Sequence, residues 1–232
     1  MKTEYFFTDR HGGVSTQPYD SLNLAFHVGD NKSDVIENRT ILKDNLNLQN
    51  IVWMEQVHGD NVQIVSSPQS KPIPACDAII TNQPNIALAV MVADCIPILM
   101  FDSKRHIIAS IHAGRNGTFL QIAPKTVKVM QKEFGCLPSD ILVFMGPSIH
   151  ACCYEIGTDL ATIVEKNFGK SYINGRMLDL QKLNRDQLIE VKVREENIKI
   201  SSTCTCCNPN YFSYRREGAT GRFAGIVWME LT

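Results

Sequence analysis

The chain has no surplus of charge of either sign. Lysine and arginine total 23 against 24 aspartates and glutamates over 232 residues, a formal net charge of -1. No bulk field draws it to nucleic acid or to an anionic membrane surface, so neither is an expected partner. Long hydrophobic runs are also missing. The longest, Ile86 to Phe101, is broken by Asp94 and Pro97 and is too short to span a bilayer comfortably. Met1 to Arg10 lacks the apolar core of a secretory signal. Neither a Walker loop nor a Rossmann glycine fingerprint occurs, which removes those two phosphate cradles. No internal repeat, low-complexity tract or linker divides the chain. The expectation is one cytoplasmic globular domain over residues 1–232, long enough to bury a substantial core. Nothing in the sequence sets an oligomeric state.

Cysteine is not scarce, with eight in the chain. Without an export signal they are expected to be reduced thiols, and a chain of this size needs no covalent staples.

Hydrophobic patterning places the elements. Tyr5-Phe6-Phe7 reads as an early or edge strand leading into the turn His11-Gly12-Gly13. Asp34 to Asn47 carries a partial helical stripe, and Ile51–Met54 and Asn61–Val65 read as strands. Four apolar runs follow, 77–81, 86–92, 96–102 and 106–111, nearly continuous in hydrophobicity and so expected to be buried on both faces. A helix is expected between Thr118 and Phe134, then a strand over 141–145. Amphipathic helices over 158–168 and 179–193 come next, and strands at 198–201 and 223–229 close the chain. Strands and helices mix throughout, so the class is α/β or mixed α+β in a single domain.

His58, Cys95 and His112 each sit in a short polar island inside strand-like sequence: Gln56-Val57-His58-Gly59, Ala93-Asp94-Cys95-Ile96-Pro97 and His112-Ala113-Gly114. Two imidazoles and one thiolate suit zinc. Three protein ligands rather than four leave an open position, the pattern of catalytic rather than structural zinc. Asp94, beside one of them, is a candidate general base or ligand-orienting group. The three lie far apart, without the short spacing that marks a metal site outright. Two other readings of the same residues stand: a Cys95 nucleophile activated by His112, and ordinary buried thiol and imidazole packing.

Two features could bind an anion. Arg215, Arg216 and Arg222 cluster between Ser213 and Arg222, where forked guanidiniums suit a phosphate. Arg10 and Ser15 flank Gly12-Gly13 in a second candidate loop. The plain alternative for the first is a solvated basic loop paired with Glu217. Further cysteines gather at Cys152-Cys153 and Cys204-Thr205-Cys206-Cys207, near His150. Adjacent cysteines rarely both face one ion, so these read as structural thiols rather than a second soft-metal site.

Taken in order, these fragments resemble one family over nearly the whole chain. It is named for a laccase domain, as multi-copper polyphenol oxidoreductases, and is also described as purine nucleoside phosphorylases. The resemblance rests on residues 7–15, Leu22-Asn23-Leu24, Val28-Gly29-Asp30, Glu37-Asn38-Arg39 and the three polar islands. Asp77 to Thr81, Gly146 to Ile149, Tyr154 to Gly157 and Phe212 to Arg222 complete it. It implies a three-ligand zinc site at His58, Cys95 and His112, with copper as the alternative ion. The implied fold has mixed β layers flanked by helices and is cysteine-hydrolase-like. The implied reaction is phosphorolysis of adenosine, inosine, guanosine and methylthioadenosine to base and ribose 1-phosphate or its methylthio analogue, with adenosine deamination in some members. A role in editing peptidoglycan precursors, as a zinc- or Cys95-dependent amide hydrolase, is also associated with the family. A zinc-stabilised binding protein without activity is the non-enzymatic alternative. One His2Cys cluster cannot supply the several copper centres of a laccase. The chain departs from the family pattern at Arg115-Asn116, where Trp-Arg is usual, and Arg115 becomes a candidate substrate contact. Asp9 and Glu217 replace a usual threonine and aspartate.

Overall fold

The computed structural model describes residues 1–230. Its strands are β1 (Lys2–Phe7), β2 (Ile51–Val52), β3 (Val62–Ile64), β4 (Ala78–Thr81), β5 (Ala87–Val92), β6 (Ile96–Asp102), β7 (Ile107–Ala113), β8 (Leu142–Met145), β9 (Ile173–Asn174), β10 (Met177–Leu178), β11 (Ile198–Ile200) and β12 (Phe223–Glu230). The helices are α1 (Lys32–Asn45), α2 (Arg115–Phe119), α3 (Ile122–Phe134), α4 (Thr158–Asn167), α5 (Leu180–Glu190) and α6 (Tyr214–Glu217). One sheet runs β1-β12-β5-β2 and a second runs β11-β8-β6-β7-β4-β3, with β9 and β10 paired apart. The fold is mixed α+β, as the sequence indicates.

The layers follow from strand alternation, which sends successive side chains to opposite faces. In β5, Leu88, Val90 and Val92 meet Ile79, Leu99 and Ile108 of the larger sheet, while Ala87, Ala89 and Met91 face Leu42 of α1. In β7, Ile107, Ala109, Ile111 and Ala113 pack under Val127 and Met130 of α3 and Leu180 and Leu188 of α5. The order is therefore helix, sheet, sheet, helices. The middle strands are covered on both sides, which explains their unbroken hydrophobicity although most of their pairings are antiparallel.

The expected helix over 118–134 is two helices. Gln121 breaks it with a left-handed φ of 62°. A continuous helix would drive the ring of Pro124 against the carbonyl of Leu120 and forfeit a hydrogen bond, whereas in the first turn of α3 the proline costs little. Strand β7 runs two residues further than its apolar run and takes in His112. The hairpin β9–β10 and helix α6 were not expected; each is too short to leave a periodic signal.

Candidate metal centre and its pocket

Where β5 of one sheet passes to β6 of the other, the chain turns through Ala93-Asp94-Cys95. Asp94 takes a φ of 90° there, and His58, in the loop between β2 and β3, takes 59°. Asp and His adopt such backbone more readily than most residues. His112 has the parity of Ile108 in β7 and so points between the sheets. The ligand atoms of His58, Cys95 and His112 lie within 4.8 Å of one another, and the two imidazole rings meet edge to face at 4.7 Å.

Asp77, which sequence reasoning left out of the site, organises this group. It is fully buried just before β4. Its Oδ1 lies 2.7 Å from His112 Nδ1 and accepts the His58 N–H at 2.9 Å; its Oδ2 accepts the N–H groups of Val57 and Gly59. One carboxylate thus fixes the ring of one histidine and the backbone of the other. Burial would raise the Asp77 carboxyl, but His112 and the N–H groups of Gly59 and Val57 hold it below its usual range. With Nδ1 turned to Asp77, His112 keeps Nε2 for the cluster, the carboxylate–histidine arrangement that orients metal ligands. Gln56 brackets Met91, donating to its carbonyl and accepting its N–H, which ties the His58 loop to β5. Asn116 donates to the carbonyl of His58.

The electrostatics couple Cys95 to His112. Burial pushes the Cys95 thiol up, yet His112 and His58 bring it down to about 6. Burial likewise lowers His112, while Cys95 and Asp77 raise it to about 9. Both shifts favour a thiolate facing an imidazolium; the thiolate is the form that binds a metal or attacks an electrophile, and His112 gives up its proton when it ligates. Gly114 closes one side. A β-carbon there would stand 2.9 Å from Cys95 Sγ, 3.3 Å from His58 Cδ2 and 3.8 Å from His112 Cε1. Overpacking of this kind costs about 1–3 kcal/mol. Gly114→Ala is expected to weaken metal binding by roughly 5- to 150-fold in a chelator competition, and unchanged affinity would show that the close approach has no consequence for the cluster.

The cluster opens into a cavity of about 340 Å³. His27, Met91, Tyr154, Tyr214, Arg215 and Arg222 line it beside His58, Cys95 and His112. Asp94 lines it too, but both its oxygens are engaged: Oδ1 accepts the Thr205 hydroxyl and Oδ2 the Arg215 N–H, each at 2.7 Å. It holds the 205–215 segment against the site, a positioning task rather than that of a free base.

The arginines divide. Arg10 donates to Glu217 and Asp20 and lies over the Phe212 ring, in a separate hollow. Ser15 is buried, donating to Asp30 and accepting from Asn38. Arg216 binds the carbonyls of Thr205, Cys206, Asn208 and Tyr211, and Glu217. The polar atoms of Arg10, Ser15 and Arg216, which the sequence offers for phosphate, are here engaged in holding loops. Arg115 lies in a small hollow beyond Cys95, with Tyr154 and Leu180. Arg215 reaches the main cavity, with its guanidinium on the carbonyls of Cys153 and Glu155. Among the described residues the Arg222 guanidinium donates only to the carbonyls of Thr220 and Gly221 and has no carboxylate partner. It was visible in the arginine cluster, but only the fold separates it from Arg216.

Fold and site together define a layered α+β protein with a His2Cys cluster at the base of a cationic, aromatic pocket. The chain belongs to the family described as multi-copper polyphenol oxidoreductase laccase, whose model matches residues 4–230. It is 38% identical over 229 residues to a purine nucleoside phosphorylase of Mycobacterium tuberculosis, covering 96% of this chain and 90% of that one. The purine nucleoside phosphorylase YlmD of Bacillus subtilis is 34% identical, covering 97% and 87%. Among solved structures, YlmD from Geobacillus stearothermophilus superposes with a TM-score of 0.93 at 32% identity, covering 99% and 92%. The hypothetical protein YfiH of Bacillus licheniformis gives 0.93 at 30%, covering 98% and 93%. The comparisons support an enzyme acting on nucleosides. No helix among the described residues is long and apolar enough to cross a membrane.

Proposed function

We propose that this chain is a zinc-dependent purine nucleoside phosphorylase that takes adenosine, inosine, guanosine or methylthioadenosine and phosphate. The observation that carries the reading is one cavity holding a three-ligand cluster, two tyrosines and two arginines. Its volume suits a small ligand. His58, Cys95 and His112 would hold the zinc, and a thiol lowered toward its thiolate and an Asp77-fixed imidazole are donors that fit that ion. Bound there, zinc would supply Lewis-acid polarisation of a substrate oxygen; the same His2Cys donors also suit copper. Tyr154 and Tyr214 offer ring faces to the purine, and Met91 and Ile149 an apolar wall. Arg222, aided by Arg215, receives the phosphate. A phosphate oxygen then bonds to C1′ as the bond from C1′ to the purine nitrogen breaks, and the base leaves with a proton from the medium. Adenosine deamination is the side reaction of the same pocket. We place the enzyme in the cytoplasm, where its eight free thiols stay reduced.

A second reading rests on one contact set. Cys95, His112 and Asp77 also line up as nucleophile, base and orienting carboxylate, the order of a thiol hydrolase. An amide of a peptidoglycan precursor is the substrate that this reading would take.

Incubation with adenosine and inosine, with and without phosphate, tests the proposal. Free base and ribose 1-phosphate are expected only with phosphate, and neither is expected from the His112→Ala protein. Base release that ignores phosphate would sink phosphorolysis. Amide cleavage of a muropeptide without nucleoside turnover would establish the hydrolase, and tight zinc binding without any turnover a binding protein.

A further inference from the structure

We propose that Cys152, Cys153, Cys204 and Cys207 form a second metal centre, a closed four-thiolate site for a single zinc ion. Their sulfurs lie within 4.8 Å of one another, although they come from two loops far apart in sequence. The Cys152–Cys153, Cys152–Cys207 and Cys153–Cys207 separations are 3.8, 3.7 and 3.3 Å. Zinc–sulfur bonds of about 2.3 Å in a tetrahedron place the sulfurs about 3.8 Å apart, so a zinc ion needs only a small adjustment. The nearest pair is far beyond the ~2.05 Å of a disulfide bond. An iron–sulfur cubane, with each thiolate on its own iron, would need the sulfurs further apart.

Adjacent cysteines rarely face one point, and here a local turn lets them do so. The N–H groups of Cys153 and Tyr154 both turn back to the carbonyl of His150, and this tight turn brings neighbouring sulfurs to one side. On the other loop, Cys204 and Cys207 have the two-residue spacing of zinc-binding pairs. The turn is closed by Asn208 N–H donating to the Cys204 carbonyl. Backbone donors support the sulfur as a thiolate. His150 N–H reaches Cys204 Sγ at 3.4 Å. Such hydrogen bonds to a ligating sulfur are the supporting contacts that metal sites carry. Four thiolates select zinc or another soft ion over calcium or magnesium. Cys152 and Cys207 are exposed, so an ion has a way in.

Four protein ligands leave no open position, so this centre is structural. It joins the two loops that form one wall of the pocket. Tyr154 follows Cys153 directly, and the Arg215 guanidinium binds the carbonyls of Cys153 and Glu155. Thr205, beside Cys204, binds Asp94. The ion thus bolts the Tyr154 turn to the segment that carries Arg215.

The test uses full-length, fully reduced protein. Wild type is expected to bind two equivalents of zinc by mass spectrometry of the metal content, and the Cys152→Ser/Cys207→Ser double variant one. In His58→Ala protein, whose first centre has lost a ligand, cobalt is expected to give the intense thiolate charge-transfer bands of a four-sulfur tetrahedral site. A double variant that keeps two equivalents, or His58→Ala protein without those bands, overturns the proposal. Should the double variant not fold, alkylation of wild-type Cys152 and Cys207 decides. Zinc is expected to block both and a chelator to release them; equal labelling in the two conditions overturns the site.

Discussion

Asp77→Asn is expected to lower metal affinity by about 10- to 100-fold and to remove roughly 3 kcal/mol or more of stability. The carboxylate is fully buried and meets four donors: His112 Nδ1 and the N–H groups of Val57, His58 and Gly59. An amide of the same shape has one oxygen for them and turns an NH2 toward the rest. A donor facing a donor in a dry site costs the full desolvation of both. The histidine ring is then free to turn, and the His58 loop loses its anchor, so two of the three candidate ligands are loosened by one change. For a chain of this length the stability loss corresponds to a melting temperature lower by about 6–12 °C. Chelator competition and thermal unfolding read the two effects separately. Unchanged metal affinity at a lowered melting temperature would reduce Asp77 to a packing residue.

Arg222→Ala is expected to raise the phosphate KM by about 10- to 150-fold, the equivalent of one charge-assisted contact worth about 1.5–3 kcal/mol, with metal content intact. Arg222 lines the main cavity and lacks a carboxylate partner among the described residues, so an incoming anion does not have to displace one. Arg216 offers the contrast. Its guanidinium already serves four carbonyls and Glu217, and Arg216→Ala should act on stability before it acts on phosphate. Should Arg10→Ala or Arg216→Ala raise the phosphate KM as much as Arg222→Ala in proteins that remain folded, the anion site lies elsewhere.

The contrast marks how much the sequence could say. His58, Cys95 and His112 stood out because each is a polar interruption of strand-like sequence, and strand ends project from a rigid frame. Their convergence within 4.8 Å needs the β5–β6 passage between sheets, which no local pattern encodes. Asp77 is a lone acid before an apolar run, and only the pairing of β4 with β7 puts it under His112. Arg215, Arg216 and Arg222 share one basic stretch and differ in where side chains point, set by the short helix α6 and the turn after it. The strands over 78–102 were legible from composition because the layers bury both their faces. The break at Gln121 was not, since it follows from the clash of Pro124 with the carbonyl of Leu120, four residues upstream.

The grip of Asp94 has a thermodynamic consequence. Its backbone continues into Cys95, while its carboxylate holds Thr205 and the backbone of Arg215. Ordering of the metal ligand and ordering of the pocket wall therefore share one hinge. Binding at two sites coupled in this way is reciprocal. To whatever degree a loaded cluster tightens the hold on nucleoside and phosphate, those substrates tighten the hold on the ion by the same factor. Enzyme at work would then keep its metal longer than enzyme at rest.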